Sequence, residues 1–236
     1  MRRTRVGPGH HLDKITIKLT RGRAAAAEQA AMQQSHAQVT IVLASNNAGK
    51  VREINQLLAP ADIGVRPQGE LSIDEADETG LSFVENAIIK ARHAAQASGL
   101  PAIADDSGLE VDALNGAPGI YSARYAGVNA NDRANCDKLL AALGGLPETE
   151  RSARFQCVMV YLRHATDPTP LICQGTWEGR ILDAPRGDNG FGYDPVFYVP
   201  DQQRSAAELD ASTKNALSHR GQALQQLVQR LARSEH

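Results

Sequence analysis

Short, dense apolar runs alternate along this chain with longer stretches whose apolar residues recur at helical spacing. Val39 to Ala44 is a β-rich run of the buried-strand type. A polar segment follows, Ser45-Asn46-Asn47-Ala48-Gly49-Lys50, and then Val51, Ile54, Leu57 and Leu58 predict a helix. Ile63 to Arg66 predicts another short strand, and Leu71 to Thr79 an acidic loop. Ser82 and Glu85 have the spacing of a capping box. The helix they open runs to about Ser98, with Phe83, Ala87, Ile88, Ala91 and Ala95 apolar and Asn86 and Lys90 together on a polar face. Pro101 to Ala104 is a short apolar run, and Asn115 to Gly119 a tight turn. If Ile120 to Tyr125 is extended, Ser122 and Arg124 point the same way. Asn131 or Asp132 caps a helix through Leu139, Leu140 and Leu143, stopped by Gly144 and Gly145. Phe155 to Leu162 and Leu171 to Leu182 read as strands. A helical region begins at Glu208–Leu209, and its last helix carries Leu224, Leu227, Val228 and Leu231 on one face.

Residues 1–37 stand apart. They lack a strong period, apart from a weak helix expected at Ala24 to Gln34, and hold seven Lys/Arg against Asp13 and Glu28. No apolar core follows the basic start, which argues against a secretory signal. The composition suits a disordered extension, or a start codon placed too far upstream with Met32 as the internal start, better than a transit peptide. The domain proper is expected at 38–236, and it is net acidic, which argues against non-specific nucleic-acid binding. No apolar run approaches the ~20 residues that span a bilayer. Cys136, Cys157 and Cys173 show no metal-type spacing and point to a reducing cytoplasm.

Four stretches carry chemistry. Asp105 and Asp106 are adjacent carboxylates after an apolar run and before Ser107-Gly108. Placed past a strand end, they would repel each other unless a hard cation such as Mg²⁺ intervened; the alternative is a self-capping turn. Ser45 to Lys50 falls between a strand and a helix, where free N–H groups and a lysine favour an anion. A P-loop would need Gly at Ala44 and Ser or Thr at Val51, so that motif fails. Gly190 and Gly192 flank Phe191, leaving a ring able to stack on a nucleobase, a contact worth ~1–3 kcal/mol. Lys214, Ser218, His219 and Arg220 put four polar groups within seven residues, which an ordinary helix surface would also explain.

Taken together, SNNAGKVRE (45–53), ETGLSFVENAIIKARHAA (78–95), AIADDSGLEVDALNGAPGIYSARYAG (102–127), GFGYDPVF (190–197) and KNALSHRGQAL (214–224) resemble the inosine triphosphate pyrophosphatase family, closest to its bacterial members, over about residues 39–233. That resemblance implies a mixed α/β fold, a central sheet flanked by helices with two lobes and a substrate cleft between them, and a homodimer. It implies Mg²⁺-dependent hydrolysis of noncanonical purine nucleoside triphosphates such as ITP, dITP and XTP to the monophosphate and pyrophosphate. Ser45, Asn46, Asn47, Ala48, Gly49 and Lys50 would hold the triphosphate, with Lys90 facing the phosphates. Glu78 and Asp106 would bind the metal, Asp105 assisting, and Asp106 would be the general base with Ser107 touching substrate. Phe191, Gly192, Tyr193 and Asp194 would hold base and sugar, and Lys214, His219 and Arg220 would read the purine edge. Two competing readings are a pyrophosphatase for modified pyrimidine nucleotides and a non-catalytic nucleotide-binding module.

Overall fold

The computed structural model describes residues 40–61 and 63–234. The extension expected over 1–37, with its weak helix, lies outside them. The first apolar run forms β1 (Ile41–Leu43), buried throughout. Asn47 caps α1 (Ala48–Leu58), its Oδ1 accepting from the Lys50 N–H at 3.1 Å. After β2 (Val65–Pro67), Ser82 caps α2 (Phe83–Ser98), while the Glu85 carboxylate accepts from the Ser82 hydroxyl and the Leu81 N–H. The long strands are β3 (Ala102–Val111), β4 (Ser152–Leu162) and β5 (Leu171–Ile181), with α3 (Asp132–Ala142) inserted before β4. Two short strands follow, β6 (Phe197–Val199) and β7 (Arg204–Ser205), then α4 (Ala211–Leu217) and α5 (His219–Ser234).

Among the described residues the strands form one sheet in the order β2-β1-β3-β4-β5-β6-β7. β1 runs parallel to β2 and β3, and the other pairings are antiparallel. Three apolar clusters cover it. Ala87, Ala91, Ala94 and Ala95 of α2 pack on one face, their small side chains bringing the helix close. Ile54 and Leu58 of α1 meet Ala223, Leu224 and Leu227 of α5 over Met159 on the other. The far ends of β3, β4 and β5 hold a third cluster around Phe155, Trp177, Phe197 and Leu139. Gly175 lets α5 cross β5, since a Cβ there would lie 2.0 Å from the His219 carbonyl oxygen.

Several expectations change. The Asp105–Asp106 pair does not sit past a strand end but in the middle of β3, which continues to Val111. Gly108 makes no turn; it makes room, because a Cβ would meet the Gly119 carbonyl oxygen at 2.3 Å. The segment after the tight turn is not extended but a 3₁₀ helix, Gly119–Arg124, which sends Ser122 inward and Arg124 toward Glu78. Three residues per turn separate side chains two apart that a strand would have aligned. The final helical region starts after Asp210, which caps α4, and breaks at Ser218, whose backbone is extended.

A cleft at the carboxyl end of the first strand

Among the described residues, β1 pairs with β3 through Val42 and Leu43, and beyond Ile103 no strand lies along that edge of β3. The strand end that matters is therefore that of β1, where the chain turns into α1. Ligands of open α/β sheets collect at such carboxyl ends. Adjacent strand residues point to opposite faces, so Asp105 and Asp106 serve two different clusters.

On the α1 side, Asp105 Oδ2 lies 3.1 Å from Lys50 Nζ and 3.3 Å from an Arg220 terminal nitrogen, and it accepts from the Ser107 hydroxyl at 3.1 Å. Complete burial works against its charge, but Lys50 and Arg220 hold the carboxyl well below the usual range. Asp105 Oδ2 is thus an ion-pair anchor, while its Oδ1 is buried and, among the described residues, has no hydrogen-bond partner. Arg220 also pairs with Glu53 and donates to the Ser107 hydroxyl at 3.0 Å. Lys214 bridges Glu53 at 2.6 Å and Asp194 at 2.8 Å. Glu53 has no role assigned from the sequence; its signals are its place at the end of the 45–53 motif and a turn beyond Lys50 on the same helix.

On the α2 side, Lys90 Nζ lies 2.7 Å from Asp106 Oδ1 and 2.9 Å from Glu78 Oε1. Asn86, one turn earlier, is buried and accepts the Gly80 N–H at 2.8 Å, shaping the loop that carries Glu78. The polar face of α2 is thus turned into the protein rather than to water. Burial pushes Asp106 above the usual carboxylate range, more than Lys90 and Lys50 pull it back. Burial also opposes the charge on Glu78, but Lys90 keeps its carboxyl low. Asp106 Oδ2 is buried and, among the described residues, has no hydrogen-bond partner. Two carboxylates converging on one ammonium, with an oxygen to spare, fit the needs of Mg²⁺, which takes one or two carboxylates plus phosphate oxygens.

On the α1 side, beside Lys50, Lys214 and Arg220, lies a cavity of about 110 Å³ whose lining includes Asn47, Ser107, Ser122, Phe155, Phe191 and His219 but not Glu78, Lys90 or Asp106. Phe191 leans over it, 4.9 Å from Lys214 Nζ and 5.6 Å from the Arg220 guanidinium. Gly49 gives the ring its place, since a Cβ there would meet it at 2.9 Å. The loop is held by Asp194, which accepts the Phe191 N–H at 2.9 Å, and by Asp132, which accepts the Gly192 N–H at 2.7 Å. Tyr193 is buried and donates its hydroxyl to the Ser122 carbonyl at 2.8 Å. Of the polar loop after β1, Asn47 Oδ1 is occupied as the helix cap, Ser45 accepts the Asn47 N–H, and Asn46 donates to Glu75. Ala48 and Gly49 open α1 and contribute backbone.

His219 stacks on Phe155 at 4.8 Å and 10°. Burial, then the nearby Arg220 and Lys214, drive its pKa well below the ordinary value, so the ring is neutral. Its Nδ1 and Arg220 Nε are buried without partners among the described residues. The Arg220 terminal nitrogens, expected to face a base, are taken by Glu53, Asp105 and Ser107. A histidine buried neutral contributes stability above its unfolded pKa that is lost as pH falls toward the depressed folded value. Thermal stability should therefore fall progressively below pH ~6.5, the unfolded histidine value. His219→Gln should remove that component; an unchanged pH slope would contradict it.

Fold and cleft together define a mixed α/β protein with a polar helix start carrying Lys50 beside a carboxylate pair. The chain belongs to the Ham1 family, whose sequence model matches residues 41–230. It is 62% identical over 200 residues to a protein named dITP/XTP pyrophosphatase from Idiomarina loihiensis, covering 83% of this chain and 99% of that one. A second protein of that name, from Vibrio cholerae, is 62% identical over 187 residues, covering 79% and 94%. A solved HAM1 protein from Coxiella burnetii superposes with a TM-score of 0.77 at 56% identity, covering 83% and 99%. The family resemblance drawn from the five motifs is borne out.

Proposed function

We propose that this chain hydrolyses dITP, ITP and XTP to the monophosphate and pyrophosphate; its relatives are named dITP/XTP pyrophosphatase, which supports this reading. The observation that carries this reading is Asp106 Oδ2, buried beside Lys90 and Glu78 on β3 and without a hydrogen-bond partner among the described residues.

Glu78 and Asp106 would hold Mg²⁺, which when bound supplies positive charge to the triphosphate oxygens. Ser45 to Lys50 cradle the triphosphate with backbone N–H groups and the Lys50 ammonium. Lys90 keeps the two carboxylates together and offsets charge that builds on the phosphates. Asp106 Oδ2 accepts a proton from the water that attacks the α-phosphorus; the α–β bridging bond breaks and pyrophosphate departs with its electron pair. The raised basicity that burial gives Asp106 suits that role.

The base lies under Phe191, with Tyr193 and Asp194 fixing the loop and Ser107 on the cavity wall. Lys214, His219 and Arg220 read its edge. Hypoxanthine and xanthine present a 6-oxo acceptor that the Arg220 Nε–H, without a partner among the described residues, can serve, whereas adenine presents a 6-amino donor that meets only a donor there. An unpaired buried group costs ~1–3 kcal/mol, enough to favour the oxo purines. The enzyme works as a homodimer in the cytoplasm, with no nucleic-acid or membrane partner. Supporting this setting, the three cysteines are free thiols, the body is acidic, and no described helix is long and apolar enough to cross a membrane.

A pyrophosphate-release panel across ITP, dITP, XTP, GTP, ATP and dUTP, with and without Mg²⁺, tests the reading. Release confined to the oxo purines and dependent on the metal is expected. Equal release from dUTP would favour the pyrimidine enzyme, and binding without release a non-catalytic module.

A further inference from the structure

We propose that Arg124 grips the departing pyrophosphate. This rests on the function proposed above, but nothing there assigns the residue.

The backbone that carries Arg124 is pinned on both sides. In the 3₁₀ helix before it, the Ser122 hydroxyl accepts the Leu109 N–H at 2.9 Å and donates to the Gly119 carbonyl at 2.6 Å. Asn135 donates to the Ala123 carbonyl at 3.2 Å and accepts the Ala126 N–H at 2.8 Å. The side chain is aimed as well. Its guanidinium carbon lies 5.1 Å from the Tyr121 ring centroid, and one terminal nitrogen is 3.5 Å from Glu78 Oε2.

That ion pair is loose beside the contacts Lys90 makes with Glu78 and Asp106, at 2.9 and 2.7 Å. Lys50 is drawn to Asp105 at 3.1 Å. Arg124 is 36% exposed and directly follows Ser122 and Ala123 of the cavity lining, so it has donors facing solvent beside the cleft. Its planar fork suits two oxygens of one phosphate. A divalent cation taking Glu78 would use the carboxylate that Arg124 now faces. The guanidinium would then exchange it for the phosphate oxygens the cation brings, one anion for another. Charge grows on these oxygens as the α–β bond breaks, so the grip strengthens toward product.

Calorimetric titration of pyrophosphate with Mg²⁺, and separately of IMP, into wild type, R124A and R124K tests this without turnover. R124A should bind pyrophosphate about tenfold or more weakly, as loss of a charge-assisted contact implies, with IMP affinity unchanged. R124K should fall between, keeping charge but losing the fork. The apparent KM for ITP should rise in step. Pyrophosphate affinity unchanged in R124A would overturn the proposal, leaving a surface ion pair of little consequence. Equal loss of pyrophosphate and IMP would overturn it too, as a structural defect. Wild type that binds no pyrophosphate would overturn it together with the proposed function.

Discussion

Asp106→Asn should fold and fail to turn over ITP. Asparagine keeps the shape and an acceptor for Lys90, so the melting temperature should stay within a few degrees of wild type. What it removes is the proton-accepting oxygen, buried and unpartnered among the described residues, and half of the carboxylate pair with Glu78. General-base loss alone costs ~10²–10⁴-fold in rate, and weaker metal binding adds to that. The measurement is kcat from pyrophosphate release, with circular dichroism as the fold control. Near-normal turnover would remove Asp106 from the chemistry.

The second large effect belongs to Arg220→Ala. Arg220 is fully buried between Glu53, Asp105 and Ser107, and its removal leaves Asp105 with Lys50 and Glu53 with Lys214 as their remaining cations. Leaving a buried charge wholly uncompensated costs ~3–5 kcal/mol, which sets the upper bound here. For a chain of this size, each kcal/mol lowers the melting temperature by roughly 2–4 °C. The same change should erase the preference for ITP over ATP. Arg220 follows His219 at the start of α5, and its charge helps keep that imidazole neutral with Nδ1 free. Arg220→Lys separates the two effects: it should recover part of the stability but not the selectivity, because an ammonium cannot reach Glu53 and Asp105 as a fork. Unchanged substrate preference in Arg220→Ala would end its role in base reading.

Much of this fold is legible in the pattern of side chains. α1, α2 and α3 announce themselves through period and caps, because Asn47, Ser82 and Asn131 each satisfy an otherwise free N–H at a helix start. β6 and β7 are too short to show alternation; they exist because Tyr198 and Val199 find Ser205 and Arg204 across a turn. Asp-Asp-Ser-Gly has the composition of a turn, so the pattern shows only the first residues of β3. The sequence pattern holds no sign that Lys50, Arg220 and Lys90 would neutralise those carboxylates from elements far along the chain.

The candidate site shows the same division. The five motifs name its residues, and the cleft brings Asn47, Lys50, Ser107, Phe191, His219 and Arg220 around one cavity. Which residue faces which is a tertiary fact. Strand alternation sends Asp105 toward two cations and Asp106 toward Glu78 and Lys90, so adjacent, chemically identical side chains acquire opposite pKa shifts. Glu53 and Arg124 look like ordinary surface charges in one dimension, and only the fold brings them to Arg220 and Glu78.

The central claim is attack by water on the α-phosphorus of an oxo-purine nucleotide. Hydrolysis of ITP with Mg²⁺ in ¹⁸O-labelled water, followed by mass spectrometry of the products, tests it most directly. The account predicts one labelled oxygen in IMP and none in pyrophosphate. Label in pyrophosphate or in inorganic phosphate, or no IMP at all, would contradict it.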